Sequence, residues 1–107
     1  MSTTQSFVDY IFDQLTSVRN VATRKMFGEY ALYCDGKVVG LICDNTLFVK
    51  ITDEGKNFVG AYYTEGCAYP GAKSSMMIDE DRIGDREWLS KLIQMTADHL
   101  PVPKKKL

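Results

Sequence analysis

The sequence has one histidine, His99, one tryptophan, and three cysteines with no C-x-x-C spacing. With one histidine, a histidine pair, a His–Cys ligand set or a hydrolytic triad would have to centre on His99. No nucleophile and acid accompany it at recognisable spacing. Its place at the end of the last helical pattern suits a helix C-terminus, where a charged imidazole meets the dipole favourably. Neither G-x-G-x-x-G nor G-x-x-x-x-G-K-[ST] occurs, so Gly36, Gly40 and Gly55 form no phosphate cradle. No apolar run approaches the roughly 18 residues of a membrane span, and Met1 to Ser6 lack the basic and apolar regions of a secretory signal. A cytoplasmic location without membrane attachment is therefore expected. An excess of one charge is missing too: 13 Lys+Arg oppose 14 Asp+Glu, a formal net charge of −1. That leaves no whole-molecule field to hold a polyanion. No catalytic residue, metal or cofactor is expected.

What remains is a chain of 107 residues, 45% hydrophobic and 11% aromatic, the size and composition of one small domain. Phe7, Ile11, Leu15 and Val18, with Val8 and Phe12 beside them, predict a helix over 3–17. Ser2-x-x-Gln5 has capping-box spacing, and Thr4 is an equal candidate for the cap. The period then falls to two. Asp35-Gly36 and Asp44-Asn45 sit between apolar runs, as type I′ hairpin turns require, giving strands over 25–34, 37–43 and 46–51. Gly28 inside the first of these suggests a bulge or bend. Thr52 caps a helix over 53–61 that should bury Phe58, Val59 and Tyr62, and Tyr69-Pro70-Gly71-Ala72 suits a type II turn between short strands over 67–69 and 74–78. Asp85 caps a last helix that ends before Pro101. The expected fold is two-layer α+β: helix, three strands, helix, two strands, helix, with a mainly antiparallel five-stranded sheet. The domain spans 1–100, followed by an extended basic tail, 101–107.

If Cys34 pairs with Lys37 and Cys43 with Thr46, one sheet face carries Tyr30, Leu32, Val39, Leu41 and Phe48. The other carries Ala31, Tyr33, Val38, Ile42, Leu47, Val49 and Ile51. Both are apolar, whereas a sheet with one wet face alternates apolar and polar residues. Either helices wrap both sides or another molecule covers one. The same register separates Cys34 from Cys43 by roughly 20 Å, too far for a disulfide. Cys34 next to Lys37 is the one thiol with a cation at hand to activate it, while small buried thiols in a sheet are the simpler reading. Asp79, Glu80, Asp81 and Asp85 lack calcium-loop spacing and read as an acidic lead into a helix. Arg19, Arg24, Lys25 and Lys104–Lys106, with Tyr30 and Phe48, offer cations and rings for nucleic acid, without an RNP-type motif.

The stretch Arg24-Lys25-Met26-Phe27-Gly28-Glu29-Tyr30-Ala31-Leu32-Tyr33-Cys34-Asp35-Gly36 resembles the signature of the TfoX/Sxy N-terminal domain family, approximately M-F-G-G-Y-G-[IL]-Y-x-D-G. Met26, Phe27, Gly28, Tyr30, Tyr33, Asp35 and Gly36 carry the match, and it continues through Val39 to Lys50 and Trp88. Glu29 and Ala31 stand where the pattern has glycines, and Met76 to Glu80 departs from the family's more aromatic strand. The resemblance implies the element order given above and a connection with regulators of DNA transformation. Those regulators carry a further helical domain, expected to be absent here, so a single-domain member is expected.

Together these readings predict a non-enzymatic, self-associating protein-interaction or regulatory module. Tyr30, Leu32, Val39, Leu41 and Phe48 would form the contact of a homodimer. Nucleic-acid binding within a transcriptional regulator is the alternative, and a cysteine redox sensor a lesser one.

Overall fold

Both hairpin turns form as their residues dictate: Asp35 and Gly36 have φ of 54° and 78°, and Asp44 and Asn45 have φ of 49° and 54°. The computed structural model describes residues 3–100 except Arg19, Phe27, Gly28, Tyr69 and Ala72. The turns join β2 (Glu29–Cys34), β3 (Lys37–Cys43) and β4 (Thr46–Val49), with Cys34 opposite Lys37 and Cys43 opposite Thr46. The strand expected over 25–34 is in fact two. β1 (Val21–Met26) runs back along β2, Val21 opposite Cys34 and Met26 opposite Glu29. The chain reverses between Met26 and Glu29; Phe27 and Gly28 lie outside the described residues, as does the bulge expected at Gly28. β5 (Glu65–Cys67) and β6 (Ser74–Ile78) complete a six-stranded antiparallel sheet in the order β1-β2-β3-β4-β6-β5, one strand more than expected.

Side-chain caps start each helix. Thr4 accepts from Phe7 N–H ahead of α1 (Gln5–Gln14), and Thr52 from Gly55 N–H ahead of α2 (Asp53–Val59). A short 3-10 turn over Gly60–Tyr62 follows α2. Asp79 accepts from Arg82 N–H ahead of the short α3 (Glu80–Ile83), where only an acidic lead-in was expected. Asp85 accepts from Trp88 N–H ahead of α4 (Arg86–His99). The buried stripe of α1 is Val8, Ile11 and Leu15, while Phe12 and Tyr10 face water. Val59 is buried and Phe58 half-buried, stacked 5.5 Å from Trp88, but Tyr62 is 51% exposed rather than buried. With Leu89, Leu92, Ile93 and Ala97 of α4, these stripes form one core against one side of the sheet.

The sheet's contribution to that core is set by a bulge. Leu32 pairs with Gly40 but Tyr33 with Val38, so Val39 has no partner on β2. One extra residue moves everything beyond it to the opposite face. Tyr30, Leu32 and Val39 lie in the helix-side core as a set, but Ile42, Leu47 and Val49 join them there. Leu41 and Phe48, expected beside Tyr30, pair with Ala31 and with each other on the far side. The two faces read from an uninterrupted register are thus exchanged beyond Val39.

Candidate functional site

The far side of the sheet carries a row of directly opposed residues across four strands: Ala31 opposite Leu41, Leu41 opposite Phe48, Phe48 opposite Met77. Tyr33 and Val38 form a second opposed pair on this face. The core formed with the helices includes none of these six. Ala31 and Phe48 are buried, Leu41, Tyr33 and Val38 are half-buried, and Met77 is 36% exposed. A Cβ on Gly66 would lie 3.5 Å from Phe48 Cε1, so the ring reaches across β6 toward the edge strand. A face without a helix ordinarily alternates to polar residues. Here it does not.

Of the five residues expected to form a contact, three are under the helices. Tyr30 is buried and its hydroxyl donates to Gln5 Oε1 at 2.8 Å, which docks α1; Leu32 and Val39 are fully buried. Leu41 and Phe48 remain on the far face. Asp35 and Gly36 make the turn, with Asp35 Oδ1 accepting from Asn20 Nδ2 at 2.8 Å, and Tyr33 lies on the far face. Met26 ends β1, and Phe27 and Gly28 lie outside the described residues. Gly40, unread as a structural residue in the sequence, sits directly after the bulge. A glycine interrupting Val-Val-x-Leu-Ile is the signal for it.

Glu29, at one of the two departures from the signature, ties three segments together. Its carboxylate accepts from Thr3 N–H at 3.0 Å, Thr3 Oγ1 at 2.6 Å and Asp44 N–H at 3.3 Å, and Asn45 Oδ1 accepts from Thr4 N–H at 2.9 Å. Burial pushes the Glu29 carboxyl up, but the hydrogen bonds from Thr3 and Asp44 outweigh it and hold the group below its usual 4.5. A lowered carboxylate stabilises the fold above its unfolded pKa and loses that contribution as pH falls through the folded value. Glu29→Gln is therefore expected to cost about 1 kcal/mol near neutral pH. Thermal melts of the two proteins should converge as pH drops below about 4.5.

The basic pair does not form one patch. In β1, Arg24 pairs with Ala31 on the far face and Lys25 with Tyr30 on the helix face, so the two cations point to opposite sides of an edge strand. Arg19 and Lys104–Lys106 lie outside the described residues. Neither buried thiol is activated. Burial pushes Cys34 up, Asp35 and Asp98 add to this, and Lys37 opposes it without prevailing. Lys37 is committed elsewhere, donating to the carbonyls of Ala97 and Leu100 at 2.6 and 3.0 Å. Burial likewise raises Cys43, helped by Glu29. None of the three cysteines is in a disulfide, and Cys67 is exposed. His99 ends α4 with Nδ1 2.9 Å from the Met95 carbonyl and Nε2 3.8 Å from Glu54. Among the described residues no group of three or more His, Cys, Asp or Glu is arranged to hold a metal ion, and no helix is long and apolar enough to cross a membrane.

A two-layer α+β domain built on paired type I′ hairpins carries the Met26–Gly36 motif between the end of its edge strand β1 and the β2–β3 turn. The sequence model of the TfoX N-terminal domain matches residues 13–100, and the chain belongs to that family. It is also similar to a Spirochaeta aurantia protein described as an uncharacterized 12.7 kDa protein in the trpE 5′ region. The two are 40% identical over 104 residues, 97% of this chain and 89% of that protein.

Proposed function

We propose that this chain is a non-enzymatic protein-interaction module that self-associates through the far face of its sheet, in the setting of a cytoplasmic regulator. Membership of the TfoX N-terminal domain family supports a role akin to that of DNA-transformation regulators. The observation that carries the contact is the apolar row Ala31, Leu41, Phe48 and Met77, which no helix core residue joins. An apolar face packed on its own copy about a two-fold axis can be self-complementary, and a net charge of −1 sets no barrier between like copies. Phe48 and Leu41 are central, with Tyr33, Val38 and Met77 around them and Arg24 at the rim.

Sedimentation equilibrium tests this reading with Leu41→Glu, a change at a half-buried position of that face. The expected result is a dimer for the unaltered chain and a monomer with unchanged circular dichroism for the variant, because a desolvated unpaired carboxylate is costly in an interface. A chain that stays monomeric at high concentration, or a variant that dimerises as well as its parent, would overturn it.

A further inference from the structure

A cleft of about 540 Å³ opens between the start of α1, the β3–β4 turn and α3, and a second of about 260 Å³, with Met77 at the margin of the far sheet face in its wall, adjoins it. The two share Phe7, Asn45, Glu80 and Ile83 in their walls. Tyr10 and Tyr62, 46% and 51% exposed, flank the pair, and neither cleft has a lysine or arginine in its lining. Arg82 lies 4.4 Å from the Tyr62 ring and lines neither cleft. Glu80 and Asp81 present exposed carboxylates that accept no hydrogen bond and form no ion pair among the described residues. An aromatic-walled cleft with acidic groups at one side suits an extended, proline-bearing and basic segment, since rings pack on prolines and carboxylates meet lysines.

The chain contains such a segment: Pro101-Val102-Pro103-Lys104-Lys105-Lys106, outside the described residues. We infer that the cleft of one copy receives the 101–106 segment of a second copy, with Pro-Val-Pro against Phe7, Tyr10 and Tyr62 and the lysines beside Glu80 and Asp81. The donor is a second copy because of where Leu100 sits. Its carbonyl accepts from Lys37 Nζ at the start of β3, whereas the cleft begins at Asn45, beyond the end of that strand. β3 spans roughly 20 Å at about 3.3 Å per residue. Pro103 reaches no more than about 11 Å from Leu100. The Pro-Val-Pro of the same chain therefore stops short of the rings. The rings and carboxylates of this contact lie apart from Leu41 and Phe48 of the far sheet face, and it does not depend on self-association there.

Zero-length carbodiimide coupling of the full chain, mixed from isotopically light and heavy protein, tests the inference by mass spectrometry. The expected products are light–heavy peptide pairs joining Lys104, Lys105 or Lys106 to Glu80 or Asp81. They should be lost in Glu80→Lys/Asp81→Lys and equally in Lys104→Glu/Lys105→Glu/Lys106→Glu, with circular dichroism unchanged in both. They should also fade at high salt, since exposed pairs are screened. Leu41→Glu should leave these products in place, which separates this result from the fate of the sheet-face contact. Coupling confined to pairs within one copy, coupling of the lysines to other carboxylates, or none at all would overturn the inference.

Discussion

Gly40→Ala is expected to destabilise the fold by about 3 kcal/mol, with a loss of roughly 15 °C in Tm for a domain of this size. A Cβ at position 40 would clash with the Phe48 carbonyl oxygen and lie 3.2 Å from its carbonyl carbon and 3.3 Å from Val49 Cα. All three are backbone atoms of the neighbouring central strand, so no side chain can swing aside. The strands cannot separate either, because Lys50 N–H donates to the Val39 carbonyl at 2.8 Å and Gly40 is the partner of Val49. Total stability for such a domain is about 5–15 kcal/mol, so this one methyl group would remove a large share. By contrast, a Cβ on Gly66 would meet chiefly the flexible Met77 side chain, and Gly66→Ala should be tolerated far better. Chemical denaturation of the two variants side by side checks both statements.

The second expectation separates two leucines on neighbouring strands. Leu32→Ala should cost about 3 kcal/mol, since Leu32 is fully buried in the helix-side core and its truncation leaves a cavity. Leu41→Ala should cost less than about 1 kcal/mol in the monomer, because Leu41 is half-buried on the far face. An uninterrupted β2–β3 register would put both residues on one face and make the two costs similar. The bulge at Val39 makes them different. The measurement belongs at low protein concentration, where self-association adds nothing to apparent stability.

Most of the local structure was legible because its causes are local. The type I′ turns follow from Asp-Gly and Asp-Asn, three of the helix starts from Thr4, Thr52 and Asp85, and the end of α4 from Pro101, each set by the conformational preferences of one to four residues. The motif around Met26–Gly36 was likewise sufficient to point to the family. Harder to see was β1: Val21 and Thr23 alternate onto the helix face, but nothing short-range distinguishes a reversal between Met26 and Glu29 from a bend. Tyr62 illustrates a different limit. Its spacing suits the buried stripe of α2, but the helix ends at Gly60, with φ 57°, and the chain turns the ring outward against Arg82.

By itself, then, the sequence determined the class of fold, the order of most elements, both hairpin turns and the fact that both sheet faces are apolar. Only the tertiary structure decided which residues lie on which face. One unpaired residue, Val39, reverses the side-chain alternation of everything after it. Whether a strand accepts that extra residue depends on its neighbours: the close approach of Phe48 at Gly40, and the helices that take Val39 into the core. The same packing decided the fate of the five residues expected to form a contact, sending Tyr30, Leu32 and Val39 beneath the helices and leaving Leu41 and Phe48 on the far face. Turn chemistry is written residue by residue, whereas the identity of a face is a property of the whole sheet and of what packs against it.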